Sequence, residues 1–183
     1  MSLATTLTQS DQNHPPLVLI HGLGSAATAF KPIIPALAQS FRVITVDLPG
    51  HGQSPYNKAQ AMDPKSLGRA IFESVESRYG INEFHVAGNS LGGWIALEMA
   101  ADKPERIKTL TGLAPAGLWL KPSSGRVPSE AQSYYLAKVL RPLIRVGLHI
   151  IALRKIGYAN VSPKWKELSY EICYDSAYAM GHA

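Results

Sequence analysis

Phe84-His85-Val86-Ala87-Gly88-Asn89-Ser90-Leu91-Gly92-Gly93 is the stretch that decides the fold. Its first four residues make a short apolar run of the kind a buried strand shows. From Leu91 onward, Leu91, Trp94, Ile95 and Met99 fall near one face at helical spacing, while Glu98, Asp102 and Lys103 face water. A strand therefore runs into a helix through a turn containing Gly-x-Ser-x-Gly, and in that context the pattern reads as a nucleophile elbow. Without the flanking strand and helix it would be an ordinary glycine-rich turn. A serine on so tight a turn leaves no room for side chains two residues before and two after it, and Gly88 and Gly92 meet that demand. The turn lifts the Ser90 hydroxyl clear of the sheet and sets it beside the amino end of a helix. Unpaired backbone N–H groups there can stabilise a developing oxyanion, and Leu91 N–H is one such donor.

Two denser apolar runs precede this unit, Leu17-Val18-Leu19-Ile20 and Val43-Ile44-Thr45-Val46, and Ile107 to Leu113 follows it. The first two are short, β-branched and bounded by turn residues, which predicts strands buried on both faces. Between the first pair, Ala27 to Gln39 reads as a helix that tolerates its prolines badly. Pro64 to Tyr79 reads as a second helix, capped by Asp63 with Pro64 at its first position. Strand and helix in regular alternation predict α/β architecture with a mostly parallel sheet and right-handed crossovers. Chemistry in such sheets gathers at the carboxyl ends of the strands, where all the unusual glycine motifs of this chain lie.

His21-Gly22-Leu23-Gly24 closes the first core strand, and its flexible backbone can bring a second N–H, that of Leu23, toward Ser90. His21 is either a base or the residue that orders this loop by hydrogen bonding, and the position at the start of the loop favours the scaffold role. Asp47-Leu48-Pro49-Gly50-His51-Gly52-Gln53-Ser54 closes the second strand. Asp47 and His51 are close in sequence with a proline turn between them, which favours a loop held by its own hydrogen bonds over an acid and base pair.

After Leu113 the pattern changes. Ala114-Pro115-Ala116-Gly117 and Pro122-Ser123-Ser124-Gly125 are turn-rich, and Ala131 to Tyr158 reads as helix broken at Pro142, with an apolar side from Tyr134, Tyr135, Leu136, Val139, Leu140, Leu143 and Ile144. The boundary falls at 118, with a sheet-bearing core over 1–118 and a helical segment over 119–183. Charge divides in the same place: nine Lys and Arg stand against nine Asp and Glu in residues 1–120, and nine against four thereafter, so the later segment carries all of the +5. A basic segment can meet an anionic substrate or a membrane surface, but a solvated helix face explains it more simply, and no nucleic-acid partner is inferred. The most apolar later stretch, Val139 to Ile156, is interrupted by Arg141, Arg145, Arg154 and Lys155 and falls short of the roughly 20 apolar residues of a membrane span. The single Cys173 has no partner for an internal disulfide or a thiolate metal site, and Met1 to Pro16 reads as a loose polar lead-in without a secretory pattern. A cytoplasmic location follows by default.

In this order and spacing, the His-Gly loop, the Gly-His-Gly-Gln-Ser loop and the serine elbow resemble the α/β-hydrolase superfamily, over about Leu17 to Ala116. The resemblance implies a Ser-His-Asp hydrolase without metal or organic cofactor, in which a helical cap follows the strand after the elbow and residues 119–183 are the start of that cap. Asn89 and Gly92-Gly93 are similar to the elbows of carbon–carbon bond hydrolases of aromatic degradation and of small carboxylesterases. Serine at position 90, where an aspartate would otherwise stand, argues against haloalkane dehalogenases and epoxide hydrolases. The implied substrate is a small hydrophobic ester or an activated C–C bond, with Ser90 as the catalytic residue, Leu23 and Leu91 N–H as the oxyanion hole, and Trp119, Tyr134 and Tyr135 as candidate pocket lining.

Members of the superfamily place the acid and the histidine after the elbow. Here Glu130, Glu167, Glu171, Asp175, His149 and His182 are what the later segment offers, and none follows a strand. Asp175 and His182 have the right order, but the stretch between them cannot contain the helix and strand that separate two strand-end loops of a parallel sheet. His149 lies in the apolar run Val146 to Leu153 and reads as a buried or cap-packing side chain. The segment before Leu17 is likewise short for the antiparallel hairpin the resemblance implies. The expectation is therefore a truncated chain that is inactive alone and exposes Ile107 to Leu113 as a sheet edge, with two alternatives: a complementing chain that completes the triad, or a non-catalytic ligand-binding or receptor module on the same scaffold.

Overall fold

The computed structural model describes residues 3–8, 11–56, 58–59, 61–118, 143–159 and 162–180. Five strands form one sheet: β1 (Thr5–Leu7), β2 (Pro16–Ile20), β3 (Arg42–Val46), β4 (Phe84–Asn89) and β5 (Ile107–Leu113). Their spatial order is β1-β3-β2-β4-β5, with β1 antiparallel to β3 and every other pair parallel. The α/β class and the mostly parallel sheet follow the sequence reading.

The apolar runs of β2 and β3 are buried because both sheet faces are covered there. Val18, Ile20, Ile44, Val46, Phe84 and Val86 pack with Leu67, Ile71, Phe72 and Val75 of α2 (Pro64–Tyr79) and Ile95, Ala96 and Met99 of α3 (Leu91–Asp102). The alternate residues Leu17, Leu19 and Val43 turn to the other face and meet Phe30, Ile34, Leu37 and Phe41. The boundaries of α2 are those its residues dictate. Asp63 accepts from Ser66 N–H at 3.0 Å, Pro64 opens the first turn, and Gly80 closes the helix at φ +67.

Three expectations need correction. Residues before Leu17 are not a loose lead-in: β1 pairs with β3, and Leu3 is buried while its N–H donates to Ser74 Oγ at 2.9 Å. A three-residue strand suffices because β1 pairs with β3 on the side away from β2, and so needs no tight hairpin to β2. The helix expected over Ala27 to Gln39 is instead a 3-10 turn (Ala27–Phe30) followed by the short α1 (Ile34–Leu37). Pro32 and Pro35 supply no N–H, so a continuous helix would lack bonds in its middle. The later helical stretch is described from residue 143, as α4 (Ile144–Gly147) and α5 (Ile151–Tyr158), with His149 in the turn between them. A 3-10 turn (Trp165–Glu167) and α6 (Tyr170–Met180) follow.

β5 is an edge strand among the described residues, and Lys108, Thr109, Thr111 and Leu113 along it are exposed. No helix among the described residues is long and apolar enough to cross a membrane.

Candidate active site

The carboxyl ends of β2, β4 and β5 meet at Ser90. This residue is the N-cap of α3 and holds φ +52, ψ −114, a conformation that L side chains rarely adopt. The glycines around it are fixed by space. A Cβ on Gly88 would stand 2.1 Å from Gly92 O, and one on Gly92 would stand 2.1 Å from Ile20 O. The end of β4, the first turn of α3 and the end of β2 are therefore in backbone contact, which leaves Ser90 exposed on top of them.

Leu91 opens α3, so its N–H belongs to the first-turn donors without an intrahelical acceptor. Leu23 is 71% exposed and follows Gly22, whose Cβ, if present, would lie 3.2 Å from Ser90 Cβ. The sequence thus brings Ser90, Leu91 and the Gly22-Leu23 loop to one point.

That loop is tied to its neighbour by side chains read as scaffolding. His21 Nε2 accepts from Leu48 N–H at 3.0 Å, so Nδ1 carries the proton and donates to Gly22 O at 2.7 Å. Both ring nitrogens are engaged and the ring is buried. Burial is the main reason its pKa falls to about 4, with the neighbouring His51 adding to it, against the opposing pull of Gly22 O and Asp47. His51 repeats the pattern one loop on: Nε2 accepts from Gly24 N–H at 3.2 Å, and Nδ1 donates to Pro49 O at 3.0 Å. Asp47 accepts from Ala27 N–H and Gln53 N–H at 2.8 and 3.0 Å. Three side chains thus lace the two loops together through backbone amides, and none of the three faces Ser90 as an acid or base.

The other titratable candidates lie away from Ser90. His85 bonds Thr109 Oγ1 at 2.8 Å. His149, expected inside an apolar helix, is exposed and stacks on Tyr170 with ring centroids 4.4 Å apart. Asp175 pairs with Lys31 at 2.6 Å, and Glu167 with Lys164 at 3.8 Å. Trp119, Glu130, Tyr134, Tyr135 and His182 lie outside the described residues.

The sequence reading missed a fourth contributor. Ala114 is the other non-glycine residue at positive φ, +46, among those described, and it turns the chain so that Leu113 O and Ala116 N–H both reach Ser90. Its signal was present as the turn Ala114-Pro115-Ala116-Gly117, but nothing in the residue types says which backbone it would meet.

Residues 15–146 match the family model described as alpha/beta hydrolase fold. The chain is 39% identical over 103 residues to the dihydrolipoyllysine-residue acetyltransferase component of an acetoin cleaving system from Pseudomonas putida, covering 56% of this chain and 27% of that protein. It is 35% identical over 98 residues to a pimeloyl-[acyl-carrier protein] methyl ester esterase of Legionella pneumophila, covering 54% and 37%. Among solved structures, a 2-hydroxy-6-oxo-6-phenylhexa-2,4-dienoate hydrolase from Rhodococcus sp. superposes with a TM-score of 0.61 at 27% identity, over 94% of this chain and 66% of that one. The chain spans 27% to 40% of the length of the first curated relatives it matches. A family match over most of the chain, together with the strand order and the tight turn at Ser90, means that the chain belongs to the alpha/beta hydrolase fold family.

Proposed function

We propose that Ser90 is the nucleophile of a serine hydrolase acting on a small hydrophobic carboxylic ester, or on a ketone activated for carbon–carbon cleavage. The observation that carries this reading is the backbone of Ser90: a non-glycine residue at φ +52, capping a helix, is a costly conformation whose effect is to present the hydroxyl where the ends of β2, β4 and β5 meet. Support for the reaction class comes from relatives named as esterases and hydrolases.

In this mechanism Ser90 Oγ attacks the carbonyl carbon while its proton passes to a general base. The carbonyl oxygen becomes an oxyanion between Leu91 N–H and Leu23 N–H. Collapse expels the alcohol, or the carbon leaving group, which takes back the proton; water then releases the acyl group by the same steps in reverse. The loops laced by His21, His51 and Asp47 hold Leu23 in place at the cost of no motion during the reaction. The base this mechanism requires is a histidine other than His21, His51, His85 and His149, whose rings are engaged with other partners. Residues 119–183 serve as a cap segment that shapes the substrate pocket.

One observation favours a second reading, a non-catalytic ligand-binding module: each described histidine at the strand ends is already committed to backbone groups. A fluorophosphonate probe separates the two, because an unactivated serine does not react. Labelling confined to Ser90 by peptide mass spectrometry, and abolished in Ser90→Ala, is the expected result. An intact, folded protein that remains unlabelled at Ser90 gives the second reading the lead.

A further inference from the structure

Ser90 O and Leu91 N–H belong to one planar peptide group, so whatever holds that carbonyl also aims that amide. Two donors hold it. Trp94 N–H, the first bond of α3, lies at 3.1 Å from Ser90 O, and Ala116 N–H lies at 2.9 Å. On the other side of the residue, Ser90 N–H donates to Leu113 O at 3.0 Å. The turn after β5 thus grips both peptide groups of the residue with the strained backbone.

The grip is built into a second strained turn. Ala114 at φ +46 reverses the chain after β5, and Gly117 at φ +84 ends the reversal. Pro115 closes down on the first turn of α3, where a Cβ on Gly93 would come within 2.8 Å of Pro115 Cβ. Gly117 does the same against Trp94, with a Cβ there meeting Trp94 Cδ2 at 2.6 Å. The turn cannot slide along the helix without breaking one of these contacts.

We propose that Ala116, through its backbone N–H, is a positioning residue for the oxyanion donor: it fixes the Ser90–Leu91 peptide plane and so points Leu91 N–H at the reacting carbonyl. A hydrogen bond accepted by the carbonyl of an amide also polarises its N–H, which makes Leu91 a stronger donor. Ala114 acts one step further out, by aiming Ala116. This inference rests on the reading of Ser90 as a nucleophile for its consequence, though the geometry stands without it.

The test removes the one N–H. Replacing Ala116 by its α-hydroxy analogue, lactic acid, turns the 115–116 amide into an ester and leaves the side chain in place. Ala114→Gly, which accepts φ +46 freely, serves as the conservative control, and Ala114→Val as the disruptive one. Two readouts are followed in each protein: the rate of Ser90 phosphonylation by an alkyl fluorophosphonate, and the Leu91 amide resonance in a 15N–1H spectrum. The expected result is labelling slowed roughly tenfold or more in the ester and in Ala114→Val, a displaced Leu91 resonance in both, and a smaller change in both readouts in Ala114→Gly than in Ala114→Val. An unchanged labelling rate in the ester overturns the proposal. If the wild type itself does not label, the nucleophile reading fails separately, and the Leu91 resonance decides: unmoved in the ester, it overturns the positioning role as well.

Discussion

Gly92→Ala is expected to remove most of the stability of the fold, on the order of 4 kcal/mol or more, and Gly88→Ala to do nearly the same. The added Cβ at position 92 would stand 2.1 Å from Ile20 O and 2.7 Å from His21 O; at position 88 it would stand 2.1 Å from Gly92 O and 2.3 Å from Gly92 C. All of these are backbone atoms at the junction of β2, β4 and α3, so no rotamer change relieves the contact. Relief requires α3 to move off the sheet, which uncovers Ile95, Ala96 and Met99. Gly80→Ala provides the contrast. Gly80 ends α2 at φ +67 with nothing within 4 Å of its missing Cβ, so that variant meets only the left-handed backbone penalty of about 1–2 kcal/mol. Urea unfolding followed by circular dichroism orders the three. A Gly92→Ala protein no less stable than Gly80→Ala would mean that the elbow is looser than its backbone contacts indicate.

The same geometry explains what was legible in the sequence. Gly88, Ser90 and Gly92 are readable because steric demand at a tight turn acts on neighbours in the chain, and a local pattern records a local constraint. The strands β2, β3 and β4 are readable because burial on both faces forces continuous apolar runs. The helix α2 is readable to the residue because Asp63, Pro64 and Gly80 each act on the nearest turn. What the sequence concealed depends on partners far along the chain. The short β1 is mostly polar, and Ser74 and Ser54 anchor Leu3 and Ala4 just before it through hydrogen bonds spanning 71 and 50 residues. His149 lies in a run apolar enough for a continuous helix, yet the chain turns there, and its ring stacks on Tyr170. The hold of Ala116 on Ser90 is the extreme case. It is made by a backbone N–H, which nearly every residue possesses, so residue identity carries almost no trace of it.

Acidification from pH 6.5 to pH 4 is expected to cost the fold about 3 kcal/mol through His21 alone. In the folded chain His21 Nε2 is the acceptor for Leu48 N–H, and protonation would set two donors against each other at 3.0 Å in a buried site. Burial, reinforced by His51, accordingly lowers its pKa from 6.5 to about 4. The sign follows. Above pH 6.5 neither folded nor unfolded chain protonates His21, and the stabilising neutral ring is fully present. As pH falls below 6.5 the unfolded chain binds a proton that the folded chain refuses, so stability declines until the folded state also protonates near pH 4. Carboxylates act lower on the scale. Asp102 is held below the ordinary carboxylate range by hydrogen bonds from Arg69 and Lys65 and by their charge, so what it contributes is lost only as pH falls below about 4. Urea midpoints measured between pH 7.5 and pH 4 for the wild type and for His21→Gln, which does not titrate, isolate the effect. The two curves should converge as pH falls, with the wild type losing its advantage between pH 6.5 and 4. Parallel curves would show that His21 accepts a proton in place, and that its bond from Leu48 does not fix its neutral form. The consequence for the site is direct, because His21 holds the loop on which Leu23 lies: protonating this ring removes the acceptor for Leu48 N–H that ties the Gly22-Leu23 backbone beside Ser90 to the neighbouring loop.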